Sequence, residues 1–271
     1  MNHALFINTR PTHRNICFHH LSCACVELPL LRIDDVALSN DEQAIMRDLI
    51  TQNPYQALII TSVESAKRAI CFLRHLGIST ACQLPNAKAP SVIAVGEASA
   101  KVLKDFGFVV VLPTTANNEG MLKLPQIQNL QASDKVLIWR GVGGRRLLED
   151  DLANRQIQID VIEWYERTKP HDLADNYHAI TPQIDKFIMH NQPVIMLISS
   201  QMAFENWQSL RSTHAHRIHY LTLGDRLFDI VRTAYPKART HLIDALSAQH
   251  VQDVIDDIIR STNGVPNTCS T

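Results

Sequence analysis

The sequence predicts an α/β protein made of two doubly wound parallel-sheet domains joined by a two-stranded hinge. Three observations lead there. Short apolar runs recur at 4–8, 57–61, 91–95, 108–112, 135–139, 194–198, 218–223 and 239–243, the length expected of buried strands. Between many of them the apolar spacing becomes helical, and strands alternating with helices form parallel sheets covered on both faces. Two segments break the rhythm: "CVELPLLRIDD" (25–35) and "DVIEWYERTKP" (160–170) are extended, mixed in polarity and end in charge. Each lies where one block of alternating elements gives way to another. Such a chain leaves one domain, builds a second and returns. Residues 1–33 and 168–271 then form domain one, 34–167 form domain two, and the two crossings lie side by side as the hinge. The alternative is that both segments are ordinary strands of a single sheet.

The helices have recognisable faces and ends. In "VESAKRAICFLRHLG" (63–77), Ala66, Ala69, Ile70, Leu73 and Leu76 make one stripe, and Gly77 stands where a helix stop belongs. "GEASAKVLKDFG" (96–107) begins and ends on glycine. In "VQDVIDDII", Val251, Val254, Ile255, Ile258 and Ile259 repeat the helical spacing, and "STNGVPNTCST" (261–271) reads as a disordered tail.

Composition narrows the function. The 271 residues are 45% hydrophobic and 20% charged, ordinary for a globular protein and enough for two cores. A formal net charge of −1 provides no global field to draw in nucleic acid or a membrane. No apolar run approaches the roughly 18 residues of a membrane span, and "MNHALFINTRP" lacks the regions of a signal peptide, so a cytoplasmic protein is expected. Cys17, Cys23, Cys25, Cys71, Cys82 and Cys269 form no CxxC pair and fit neither a zinc site nor a disulfide framework. They are expected to be reduced thiols, mostly buried. The histidine-rich "HAHRIH" (214–219) is expected to be a solvated loop leading into a strand.

The most informative stretch is "WRGVGGRRLLEDDL" (139–152). An apolar run meets Arg140, Gly141, Gly143 and Gly144 follow, and Arg145-Arg146 precede a helical pattern. Glycines let the backbone approach a ligand closely, and free helix N–H groups favour an anion. The stretch is neither GxxxxGK nor GxGxxG. A tight strand-to-helix turn, with Arg140 and Arg145 in surface ion pairs, accounts for it equally well. Other strand ends carry small hydroxyl or glycine residues: Thr61-Ser62, Gly96 with Ser99, Ser199-Ser200, Gly224, and Thr9-Arg10. Each serine or threonine alone is a good N-cap. Together these residues offer many donors and few ionisable acids, which suits a ligand rich in carboxylates. They suit neither metal-assisted hydrolysis nor a Ser-His-Asp triad, and no GxSxG occurs.

In order and spacing, these segments resemble the uroporphyrinogen-III synthase family over nearly the whole chain. The resemblance is carried by Thr9-Arg10-Pro11, "ELPLLRI" (27–33), Thr61-Ser62, "AVGEASAKVLKDFGF" (94–108), "NEGMLKL" (118–124), "VLIWRGVGGRRLLEDDL" (136–152) and "VIEWYERTKP" (161–170). It implies two α/β domains joined by a two-stranded ladder, with the active site in the cleft between them. The implied substrate is hydroxymethylbilane, a linear tetrapyrrole bearing acetate and propionate groups. The implied reaction closes the ring with inversion of the last pyrrole and loss of water, without cofactor. Tyr165 is the matched tyrosine, implied to assist departure of the hydroxyl. Arg10, Thr61, Ser62, Gly96, Ser99, Arg140, Gly141, Gly143, Gly144, Arg145, Ser199 and Ser200 are the matching substrate-binding candidates. A monomer is expected, with transient contact to hydroxymethylbilane synthase, the preceding enzyme. Ser99 stands where the family usually has threonine. The stretch from Pro11 to Leu28 is shorter than the family norm, which implies a clipped first helix. "SSQMAF" (199–204) and "LGDRLF" (223–228) match loosely. The alternatives are a noncatalytic two-domain tetrapyrrole binder and a nucleotide-sugar transferase. For the transferase, no acidic pair is placed to hold a metal.

Overall fold

The apolar runs become the strands of two parallel five-stranded sheets in a computed structural model that describes residues 3–11, 23–85 and 90–263. In chain order the strands are β1 (Leu5–Asn8), β2 (Ala24–Glu27), β3 (Arg32–Asp35), β4 (Ala57–Ile60), β5 (Ser91–Ala94), β6 (Val110–Val111), β7 (Lys135–Arg140), β8 (Gln158–Glu163), β9 (Tyr165–Thr168), β10 (Val194–Ile198), β11 (His219–Leu223) and β12 (Arg239–Ile243). The helices are α1 (Asn40–Thr51), α2 (Val63–His75), α3 (Glu97–Asp105), α4 (Asn118–Leu122), α5 (Pro125–Gln128), α6 (Leu147–Asn154), α7 (Leu173–Met189), α8 (Gln201–Ser209), α9 (Asp225–Ala234) and α10 (Ala248–Asn263).

The chain divides into two compact units, Met1–Arg32 with Thr168–Thr271 and Ile33–Arg167. The sheet of the first unit runs β12-β11-β10-β1-β2, and that of the second runs β6-β5-β4-β7-β8. In both, every neighbouring pair is parallel. The expected α/β class with parallel sheets therefore holds.

Burial explains why the strands read as unbroken apolar runs. Successive residues point to opposite faces. In the first unit, Leu5 and Ile7 join one core while Ala4 and Phe6 join another. In the second, Leu58, Ile60, Leu137 and Trp139 pack on one face, and Ala57, Ile59, Val136 and Ile138 on the other. With helices on both faces, neither set tolerates polar residues.

The helix ends follow local chemistry. Gly77 has φ +83°, its N–H donates to the Arg74 carbonyl, and the N–H of Ile78 donates to that of Leu73. Gly107 (φ +101°) and Phe108 close α3 with the same pair of bonds, to Lys104 and Leu103. This double closure is a Schellman motif, which favours glycine because L side chains avoid that φ.

Several expectations need correction. The segments 25–35 and 160–170 each hold parts of two strands rather than one crossing. β2 and β8 belong to the five-stranded sheets, whereas β3 and β9 pair with each other in a separate two-stranded sheet. Strand-length polarity cannot separate these cases, because edge strands and connecting strands both have one wet face. The run at 108–112 shortens to β6, with Val109 89% exposed. Residues 261–263 continue α10 rather than beginning a tail, and 264–271 lie outside the described residues. Cys23 is buried, but Cys25, Cys71 and Cys82 are exposed. Cys71 faces away from the buried Ala66–Ala69–Ile70–Leu73 stripe of its helix. Cys17, Cys269 and residues 12–22 of the expected clipped helix also lie outside the described residues. The histidine run is not a solvated loop throughout. His214 is buried, and its ring joins the Tyr177 hydroxyl at 2.7 Å and the Asp185 carboxylate at 2.9 Å.

Candidate active site

A parallel sheet offers a crevice where the strand order reverses, beyond the carboxyl ends of the strands. In the second unit, β4 comes first, β5 and β6 build out on one side, and β7 and β8 on the other. The reversal therefore lies between β4 and β7. Pairing of Ile60 with Trp139 sets Thr61 and Ser62 beside the glycine loop that follows Arg140. The Thr61 hydroxyl donates to the Trp139 carbonyl at 3.3 Å, and Ser62 caps α2 by accepting from the Ser65 N–H at 3.1 Å.

Each glycine of the loop has its own requirement. A Cβ on Gly141 would lie 2.4 Å from the Tyr165 ring, so only glycine lets this buried tyrosine pack against the end of β7. Gly143 and Gly144 have φ of +74° and +88°, a backbone costly for any residue with a Cβ. The N–H of Val142 donates to the Tyr165 carbonyl at 2.7 Å, and that of Trp164 to the Arg140 carbonyl at 2.9 Å. These bonds fix the loop to the start of β9.

Arg140 lines the same loop and is tied into it. Its guanidinium is buried and donates to the Glu149 carboxylate and to the Gly143 and Gly141 carbonyls. A carboxylate and two carbonyls take three of its five N–H donors, so Arg140 shapes the loop. Its pair with Glu149 is buried rather than a surface ion pair. Arg145 does form the exposed pair anticipated by the turn reading, with Glu119 at 2.5 Å. The Glu119 carboxyl is held below its usual range by its own backbone N–H and by Arg145.

These elements enclose a cavity of about 200 Å³. Its walls include Thr61, Ser62, Gly141, Gly143, Gly144 and Tyr165 from the expected set, together with Arg140 and Arg145. Sequence reasoning missed Asn118 and Arg167, which also line it. Arg167 was discoverable: it stands two residues after Tyr165 in β9, and alternate residues of a strand share a face. One of its N–H groups donates to the Tyr165 hydroxyl at 3.1 Å, and its guanidinium lies 5.3 Å from the ring centroid. The Arg68 guanidinium lies 5.4 Å from the same ring. Among the described residues, Arg167 pairs with no carboxylate.

The glycine loop also separates two electrostatic environments. On the Tyr165 side, Arg140 and Arg145 are paired with Glu149 and Glu119, and Arg167 adds a third cation with no carboxylate partner among the described residues. The cavity on the other side, about 350 Å³, carries Glu42, Glu149 and Glu163 against Arg140 and Arg146. An anion is favoured on the Tyr165 side alone.

The remaining candidates lie elsewhere. Gly96 is the N-cap of α3 at the end of β5, and Ser99 is buried in its first turn; neither lines this cavity. Arg10, Ser199 and Ser200 belong to the first unit. There the strand order reverses between β1 and β10, so the ends of those strands adjoin. The Thr9 hydroxyl donates to the Leu197 carbonyl across that crevice. The N–H of half-buried Arg10 donates to Asn8 Oδ1 at 3.3 Å, and Ser200 caps α8.

Among the described residues, no group of three or more His, Cys, Asp or Glu side chains is placed to hold a metal ion. No helix among them is long and apolar enough to cross a membrane.

Comparison with known proteins identifies the family and the fold. A family model described as uroporphyrinogen-III synthase HemD matches residues 18–238. The uroporphyrinogen-III synthase of Salmonella typhimurium is 36% identical over 85 residues, covering 31% of this chain and 34% of that protein. That of Escherichia coli is 34% identical over 84 residues, covering 30% and 34%. The aligned stretch thus spans about a third of the curated relatives. Among solved structures, a mutant uroporphyrinogen III synthase from Thermus thermophilus superposes with a TM-score of 0.60 at 14% identity, covering 96% of this chain and 99% of that one. Uroporphyrinogen-III synthetase from Helicobacter pylori gives a TM-score of 0.60 at 14% identity, covering 95% and 100%. At that identity the superpositions establish the fold. The family match, spanning most of the sequence, places this chain in the uroporphyrinogen-III synthase family.

Proposed function

We propose that this protein is a uroporphyrinogen-III synthase. It cyclises hydroxymethylbilane to uroporphyrinogen III, with ring D inverted and one water lost. Family membership supports the reading. The observation that carries it is the cavity at the strand-order reversal of the second unit, where a buried tyrosine hydroxyl and arginines meet neutral donors.

Its size suits one substituted pyrrole ring with its acid side chains rather than the whole tetrapyrrole. Arg145 and Arg167 meet the acetate and propionate groups. Arg145 must exchange Glu119 for the substrate, and an exposed pair gives way at little cost. Arg167 donates to the phenol oxygen of Tyr165, so the phenol keeps its own O–H to donate.

The chemistry then needs one proton in transit. Tyr165 gives its proton to the departing hydroxyl, which leaves as water, and the bilane becomes an azafulvenium cation beside the phenolate. The substituted carbon of ring D attacks it, forming a spiro intermediate that reopens and recloses with the ring inverted. The proton lost as the new pyrrole becomes aromatic returns to the phenolate, which balances the water released. Positioning supplies the selectivity, because the unassisted reaction closes without inversion.

The test is an isomer assay. Hydroxymethylbilane is generated in situ, the products are oxidised, and uroporphyrins I and III are separated. Isomer III should predominate. Tyr165→Phe should lower kcat on the order of 10²- to 10⁴-fold with KM little changed, the loss typical of a general acid. Isomer I alone, at the uncatalysed rate, would establish a noncatalytic tetrapyrrole binder instead. Wild-type turnover in Tyr165→Phe would remove that residue from the chemistry.

A further inference from the structure

The first unit holds a second cavity, of about 520 Å³, at the opposite end of its sheet from the strand-order reversal. It opens where β10, β11 and β12 begin, at Pro193, Ile218-His219 and Arg239. Along β10 this is on the order of 17 Å from Ser199, taking about 3.3 Å per residue.

Its charge is one-sided. Arg217, Lys237 and Arg239 line it, with His216 and His219, and no carboxylate does. None of the three cations forms an ion pair among the described residues. The residues outside the described set contain no Asp or Glu, so they bring no acidic side chain to neutralise them. Uncompensated cations gathered in a concave site focus a positive potential.

Two histidines pair beside these cations. His219 stacks on His241 with ring centroids 5.5 Å apart and planes 7° from parallel. Burial first, then His241 and Arg239, push the His219 imidazole down to about 4. Burial and Arg239 lower His241 as well. Neutral groups complete the wall. Asn191 lies at the β10 entrance, and the Ser261 and Thr262 hydroxyls donate to the Ile258 carbonyl, covering the negative end of α10.

We infer that this cavity is a binding site for a small phosphorylated molecule, separate from the site of the proposed reaction. The class follows from geometry. Arg217 and Lys237 come from connecting segments and Arg239 from a strand start, so the donors belong to three separate side chains. A phosphate offers three or more acceptor oxygens to separate donors at once, whereas a planar carboxylate is best met by one coplanar fork. The volume lies within the range of small-molecule sites, about 300–1,000 Å³, and leaves room for a group attached to the phosphate.

Calorimetric titration of the full chain with pyrophosphate tests this at fixed ionic strength. One site is expected. The triple variant Arg217→Gln/Lys237→Gln/Arg239→Gln should weaken binding by at least about a hundredfold, since it removes every charge-assisted hydrogen bond the three cations can make. Arg145→Gln, in the other unit, should leave it unchanged. The ring signals of His219 and His241 should shift on titration. Absence of binding at millimolar pyrophosphate, or undiminished binding in the triple variant, overturns the site. Citrate binding more tightly than pyrophosphate overturns the phosphate assignment. Isomer production does not enter either outcome, so this test stands or falls independently of the proposed activity.

Discussion

The two units use the same kind of sheet but handle positive charge in opposite ways. In the second unit two arginines of the glycine loop are answered within the fold, Arg140 by buried Glu149 and Arg145 by exposed Glu119. In the first, Arg217, Lys237 and Arg239 gather around a cavity with no acid. A parallel sheet supplies a frame for either arrangement. Loop composition decides whether charge builds the loop or waits for a partner.

The largest expected effect comes from breaking the paired arrangement. Glu149→Ala leaves the buried Arg140 guanidinium without its carboxylate, and removing one member of a buried pair costs about 3–5 kcal/mol. Urea unfolding followed through Trp139 and Trp164, both in the second unit, should show it. A shift under about 1 kcal/mol, the size expected of an exposed pair, would mean that Arg140 is solvated rather than built in.

A smaller effect separates the two uses of glycine in that loop. Gly141→Ala drives a methyl into the Tyr165 ring, and overpacking of this kind costs about 1–3 kcal/mol. Gly143→Ala meets no atom within 4 Å and carries only the left-handed backbone penalty, about 1–2 kcal/mol. Gly141→Ala should also displace Tyr165 and alter the isomer ratio, whereas Gly143→Ala should retain predominant isomer III. Equal loss in both would place the sensitivity in the loop backbone instead.

The smallest effect belongs to the first unit. The folded-state value of His219 lies below its ordinary 6.5, at about 4. Between those values the unfolded chain binds more protons, so stability is full above pH 6.5 and falls as pH drops toward 4. Trp207 fluorescence, which reports on the first unit, should show a lower urea midpoint near pH 5 than near pH 7, roughly the two sides of the ordinary histidine value. His219→Gln should flatten that dependence. An unchanged slope would assign it to His241 or to groups outside the cavity.

What the sequence by itself determined was local. Apolar runs of strand length, helical stripes and the glycines at 77 and 107 act within one or two turns of chain, and they became strands, helices and Schellman ends. The glycine loop was legible because a strand, a turn and a helix start follow one another directly. Tertiary structure decided which charges are spent. Glu149 engages Arg140 only when α6 folds back beside β7, and Arg167 reaches the Tyr165 hydroxyl only when β9 takes its place. Arg217 shares a cavity with Lys237 and Arg239, far from it along the chain, because β11 and β12 pair in register, His219 beside Arg239. Spacing along the chain carries no record of such pairings. They follow from which strands adjoin, and that is settled by burying the apolar faces of the whole sheet at once.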